Sequence, residues 1–155
     1  MVELYLPALE ELWFKKELLS EPDTMSYNHA WGGTIDFAES AWADWYARWV
    51  CPGDGTRFYR YLRDTRAGRF VGEASYHWDE TSRRWMVDVL ISARERNKGL
   101  GRAGLALLCG SARERGIPVL YDSIAADNPA VRLFLDCGFI EVDRTPEVIL
   151  VKKEL

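Results

Sequence analysis

The stretch Arg96-Asn97-Lys98-Gly99-Leu100-Gly101 constrains this chain more than any other. It follows the apolar run WMVDVLI and leads into RAGLALLCGSARERG, whose spacing predicts a helix from about Gly99 to Arg115. Strand, glycine-bearing loop and helix thus come in immediate succession. Glycine within a helix costs about 1 kcal/mol against alanine, so a pair at a helix start points to a need for bare backbone. The first four N–H groups of a helix have no partner inside it, and the helix dipole is positive at that end. Phosphates bind there, and Gly99 and Gly101 would let a diphosphate reach the amides with no Cβ in the way. Arg96, Lys98 and Arg102 add positive charge around the same point.

Two other phosphate motifs compete for these residues. A P-loop requires Lys-Ser or Lys-Thr after its second glycine, and neither follows here. Gly99-Leu100-Gly101-Arg102-Ala103-Gly104 formally matches the dinucleotide fingerprint GxGxxG, and Asp122 in PVLYDSIA stands near the place of its ribose-binding acid. That fingerprint normally opens a repeated βαβ pattern, whereas here it lies two-thirds of the way along a short chain. A Rossmann-like nucleotide domain therefore ranks as a remote alternative.

The other elements follow from periodicity. Residues from about Pro7 to Leu19 have helical spacing, and EPDTMSYNHAWGGT breaks it as a loop. Asp36 with Glu39 resembles a capping box for a helix carrying Trp42, Trp45, Tyr46 and Trp49 on one face. RFYRYLRD and RFVGEASYHW read as a hairpin, and RRWMVDVLI as a third strand. After the long helix come the strand PVLYDSIA, a short helix NPAVRLFLDCG with Asn128 as N-cap and Pro129 at its first position, and the strands FIEVD and EVILVKKEL. This order, neither a βα repeat nor an all-β series, predicts a single domain, 1–155, with a mixed sheet and helices on its faces.

Composition limits the function classes. The chain has 155 residues, 48% hydrophobic and 28% charged, with a formal net charge of −4. A nucleic-acid binder usually carries a basic footprint, so none is expected, while an amine substrate suits a mild acidic excess. Cys51, Cys109 and Cys137 are odd in number and lack metal-ligand spacing, which suggests reduced thiols and no bound metal. The acid-dotted start is unlike a signal peptide, and no apolar run approaches the ~20 residues of a membrane span. A cytoplasmic location and no membrane partner are the resulting expectations, and a homodimer stays open.

Taken together, RNKGLG and NPAVRLFLDCGF resemble the GNAT superfamily of acetyl-CoA-dependent N-acetyltransferases. Arg96, Gly99 and Gly101 match the fixed positions of its Arg/Gln-x-x-Gly-x-Gly/Ala loop, and Asn128, Leu133, Gly138 and Phe139 match its later Asn, short helix and Gly-Phe pair. The resemblance implies an α+β fold whose central sheet is mixed and mostly antiparallel, with helices on both faces. It implies acetyl-CoA as co-substrate, its pantetheine arm along Val89, Leu90 and Ile91. The pyrophosphate would then lie on the amides of Asn97, Lys98, Gly99, Leu100, Gly101 and Arg102, with Asn128 at the cofactor arm. Many members protonate the leaving thiolate with a tyrosine where this chain has Phe134, which can pack on the cofactor but has no hydroxyl. Tyr121, another tyrosine, or water would have to serve instead.

An ammonium acceptor must also lose a proton before its lone pair can attack a thioester, and a carboxylate can take it. Glu73, Asp88 and Asp122 each interrupt an otherwise apolar strand, which is costly unless the acid is paired or lines a cleft. Asp88 also resembles the strand Asp of aminoglycoside 6′-N-acetyltransferases, three residues before the last apolar residue, here Ile91. Asp88 and Glu73 are the leading candidates for the base, then Asp122. Trp42, Trp45 and Trp49 read as core. Tyr27, His29, Trp31 and Trp78 lie in or beside loops and are candidates to touch the acceptor, a small amine, an amino acid or a peptide. The absent tyrosine also keeps open a non-catalytic acyl-CoA-binding or sensing module on the same fold.

Overall fold

The computed structural model describes residues 1–155, apart from the side chain of Ala30. Seven strands form one sheet: β1 (Val2–Tyr5), β2 (Arg57–Asp64), β3 (Arg69–Asp79), β4 (Arg84–Ile91), β5 (Val119–Ala125), β6 (Ile140–Arg144) and β7 (Val148–Glu154). Four α-helices accompany it: α1 (Trp13–Ser20), α2 (Trp42–Trp49), α3 (Leu100–Glu114) and α4 (Ala130–Asp136). The spatial order is β1-β2-β3-β4-β5-β7-β6, and the β4–β5 pair is parallel while the other neighbours are antiparallel. This mixed, mostly antiparallel sheet removes the Rossmann-like alternative, which requires consecutive parallel βαβ units.

Alternation along the strands sends side chains to two separate cores. Leu62, Ala74, Tyr76, Val87, Leu120, Ile124 and Val151 face α3 and α4, where they pack with Leu105, Leu108, Phe134 and Phe139. Tyr59 and Tyr61 face α1 and α2 and pack with Leu12, Phe14, Leu18 and Phe37. The tryptophans Trp42, Trp45 and Trp49 of α2 lie half-buried or at the margin of this second core.

Three local expectations need correction. β1 sits in the opening residues, before the helical spacing, and pairs antiparallel with β2 from Val2↔Asp64 to Tyr5↔Tyr61. The stretch expected to be one helix from Pro7 divides into a 3₁₀ turn, Leu9–Leu12, and α1. Asp36 and Glu39 form no capping box; the reciprocal contact is made upstream, where Glu11 Oε1 accepts the Ala8 N–H at 2.9 Å. The loop between α1 and α2 contains a 3₁₀ turn, Ser26–Trp31, that ends at a left-handed Gly32. No helix among the described residues is long and apolar enough to cross a membrane.

Candidate active site

The site begins where two parallel strands part. β4 pairs with β3 along its whole length, from Arg84↔Asp79 to Ile91↔Gly72. Among the described residues its register with β5 is the single pair Met86↔Tyr121, while β5 pairs fully with β7. Beyond Met86 the two strands therefore diverge, and the β5 side of Val89, Leu90 and Ile91 borders an opening rather than a ladder, with the Ile91 carbonyl taken up by Arg96. An extended polar chain could bond to such unpaired strand backbone.

The opening leads to the start of α3. Asn97 and Gly99 both adopt left-handed φ, 64° and 79°, which turns the chain from the 3₁₀ turn Ala93–Glu95 into the helix. Gly99 is the N-cap, and a Cβ there would meet strain rather than a neighbour. Gly101 faces inward: a Cβ would stand 2.9 Å from Leu133 Cδ1 and 3.6 Å from Ile91 Cγ1. A side chain at 101 would thus intrude between the end of β4 and α4. These residues fit the pyrophosphate seat implied by the sequence: Gly99 opens the helix with no Cβ over its first amides, and Gly101 lets the helix start pack closely on Ile91 and Leu133.

The cations around this turn are engaged elsewhere. Arg96 donates to the carbonyls of Ile91, Asp23 and Thr24, so it ties the α1–α2 loop to the end of β4. Lys98 is 2.9 Å from Glu95, which also holds Arg69, and Arg102 is 3.0 Å from Asp136. These contacts fix the loop and α4.

Of the three acids, Asp88 lies at the opening. It pairs with Ser75 and lies two residues beyond Met86 of the Met86–Tyr121 junction, on the α1/α2 face. Its residue is exposed to water, yet the surrounding protein and the nearby Glu73 charge push its carboxyl up to about 6; the Lys15 ammonium and the Val89 N–H act against them. Asp122 lies on the opposite face and is half-buried; desolvation, followed by the charge of Asp88, pushes its carboxyl well above the ordinary range. The topology thus sets two carboxyls around one opening, a common sign of a functional site.

Glu73 is placed differently. It is 6% exposed, 3.0 Å from Lys15 Nζ, and accepts a short hydrogen bond from Tyr59. Lys15 is itself 8% exposed and stands 4.7 Å from the ring of Trp45 and 5.0 Å from that of Tyr59. Glu73 is therefore bound up in a buried ion pair and acts on Asp88 through its charge. Lys15 and Tyr59 escape the sequence reading, although Lys15 does precede Leu18 and Leu19 by three and four residues on the inward face of α1.

Tyr121 lies half-buried at the junction, with the Arg84 guanidinium 4.8 Å from its ring centre. Phe134 is 3% exposed and packs edge-on against Phe139, so the position of the usual tyrosine belongs to the α3/α4 core. Asn128 Oδ1 accepts the Ala130 N–H at 2.9 Å just ahead of α4, whose N-cap position is held by Pro129 and not, as expected, by Asn128. His29 Nε2 is 3.1 Å from Asp127, beside Asn128, which brings the loop carrying Tyr27, His29 and Trp31 to the open end of β5. Trp31 is 52% exposed there. Trp78 does not join them: it pairs with Trp85 at the far end of the β3–β4 hairpin and shares the face of Tyr76, opposite to Asp88.

Comparisons with known proteins agree with this geometry. The structure is similar to a ribosomal-protein-alanine N-acetyltransferase from Brucella melitensis (TM-score 0.75, 24% identity, covering 100% of this chain and 99% of that one). It is also similar to a spermidine N-acetyltransferase from Vibrio cholerae solved with CoA and spermine (TM-score 0.80, 19% identity, 99% and 95% coverage). A phosphinothricin acetyltransferase from Sinorhizobium meliloti, solved with acetyl-CoA, shares the fold as well (TM-score 0.77, 19% identity, 100% and 88% coverage). No sequence among the curated proteins matches the chain. The model of the Acetyltransferase (GNAT) family matches residues 8–139, and with the splayed strands and the glycine turn this shows that the chain belongs to that family.

Proposed function

We propose that the protein moves an acetyl group from acetyl-CoA to a primary amine by direct attack, with Asp88 as general base. The observation that carries this reading is the placement of Asp88: a carboxyl raised to about 6, at the mouth of the β4–β5 opening that runs to the start of α3. Acetyl-CoA supplies the acyl group as a thioester. The amides of Asn97 to Arg102 hold its pyrophosphate, and the backbone edge of Val89 to Ile91, left unpaired by β5, guides the arm toward Asp88. There the carboxylate takes a proton from the acceptor ammonium, directly or through water, and the freed lone pair attacks the carbonyl carbon. A base with a pKa near 6 is ionised at neutral pH yet desolvated enough to take a proton from a bound ammonium. The C–S bond then breaks as the new amide nitrogen releases its second proton to water, which leaves a neutral amide and a thiolate. The leaving thiolate, with an ordinary pKa near ~8.5, takes its proton from Tyr121 at the junction or from water.

The test is in two steps: calorimetric titration with acetyl-CoA and, separately, NAD, then a screen of primary amines for CoA release. Acetyl-CoA binding followed by amine-dependent release supports the reading. Acetyl-CoA binding without release on any amine favours an acyl-CoA sensor, to which the absence of a hydroxyl at Phe134 lends some weight. Binding of NAD but not acetyl-CoA would refute both.

A further inference from the structure

α1 and α2 cover the face of β1 to β4, and the same face of β5, β7 and β6 is left as a shelf beside Asp88. A pocket of about 260 Å³ lies there, lined by Arg84, Tyr121, Val142, Asp143, Leu150 and Lys152. Its place relative to the base follows from register. Arg84 is two residues before Met86, the partner of Tyr121, and Tyr121 pairs across β7 with Lys152. Ser123, level with Asp88, pairs with Leu150, which in turn pairs with Asp143.

The charges in this pocket are unbalanced. Arg84 and Lys152 are both half-buried. Among the described residues neither takes part in an ion pair, whereas Arg63, Arg69, Arg94, Lys98, Arg102 and Arg144 all do. Asp143 is the one acid in the lining, and its carboxylate accepts the Arg144 N–H at 2.8 Å. Two partly desolvated cations against one occupied carboxylate favour an anion and oppose a polycation.

We propose that this pocket selects the acceptor, and that the acceptor is a peptide N-terminus with a carboxylate two or three residues beyond its amine. The proposal rests on Asp88 receiving the amine. Arg84 precedes Asp88 by four residues on one strand, about 13 Å at the ordinary strand rise. An acidic side chain on the acceptor covers part of this span itself and leaves roughly 10 Å of backbone, the reach of about three extended residues. A free amino acid is too short to bridge it, and a polyamine would place positive charge on Arg84 and Lys152.

The probes are two tripeptide amides of identical length, Ala-Ala-Asp-amide and Ala-Ala-Asn-amide, with spermidine as a third acceptor. The acidic peptide is expected to show a KM roughly tenfold below that of its neutral twin, through two charge-assisted contacts. In Arg84→Gln/Lys152→Gln the ratio between the peptides should fall to about one. That ratio is internal to each preparation, so partial loss of folded protein does not alter it. Equal KM values for the two peptides in the parent, or a preference for spermidine, would overturn the proposal. Calorimetry of both peptides on the CoA-loaded protein gives the same comparison without turnover. A peptide preference by binding with no CoA release from any acceptor would refute the acetyltransferase reading and leave the pocket assignment supported.

Discussion

At the residue scale, the chemistry depends on how four side chains share charge. Lys15 and Glu73 form a buried pair, Tyr59 donates to Glu73, and Asp88 feels both charges with opposite sign. Glu73→Gln should therefore move the pH midpoint of kcat downward, and Lys15→Met should move it upward. A purely structural role for the pair would leave the midpoint in place. Lys15→Met also leaves Glu73 buried and unpaired, which typically costs roughly 3–5 kcal/mol and is measurable by denaturant unfolding. Asp88 has a linkage of its own. Its carboxyl is raised in the folded state, so the stability it contributes is full below its unfolded value near 4 and is lost as pH rises through about 6. Asp88→Asn should accordingly gain melting temperature relative to the parent between pH 4 and pH 7. The acids were legible in the sequence because each broke an apolar strand. Lys15 was not, because nothing local shows that a lysine on a helix will face a glutamate 58 residues away.

At the element scale, α3 separates two uses of glycine. Gly99 and Gly101 stand at the proposed pyrophosphate seat, Gly101 also close to Leu133, whereas Gly104 is buried and a Cβ there would stand 2.6 Å from Leu62 Cδ1. Gly99→Val/Gly101→Val should abolish acetyl-CoA binding by calorimetry. Gly104→Ala should leave binding intact and lower stability by about 1–3 kcal/mol through overpacking. Equal loss of CoA affinity in both variants would contradict this division. α3 itself was legible almost to its ends because apolar spacing and glycines bound it on both sides. β1 was hidden: its four residues are too few for alternation to stand out, and the pairing that makes them a strand lies 56 or more positions further on, in β2. The Asp36–Glu39 pattern misled for a related reason, since a spacing of three fits many turns and the chain enters α2 through Glu39–Ala41 without a side-chain cap.

At the scale of the whole molecule, the site exists because one sheet contains both pairing modes. Antiparallel ladders hold β1 to β4 as one body and β5 to β7 as another, and the Met86–Tyr121 pair joins them at a single point. Each body has helices on it, so the opening is backed by packed core and stays preorganised. The family loop was visible in the sequence, but the shelf of Arg84 and Lys152 was not, because those residues meet only when β7 lies beside β5. His29 and Asp127 close the other end from different parts of the chain; His29→Ala should raise the acceptor KM and leave acetyl-CoA affinity unchanged in the calorimeter. The most direct test of the central claim is kcat for CoA release against pH in the parent and in Asp88→Asn. The expected parent curve rises with pH to a half-maximum near 6, where the carboxylate forms, and the variant is slower by roughly 10²–10⁴-fold with that limb gone. An Asp88→Asn enzyme that keeps the parent rate and the same limb would show that Asp88 is not the base.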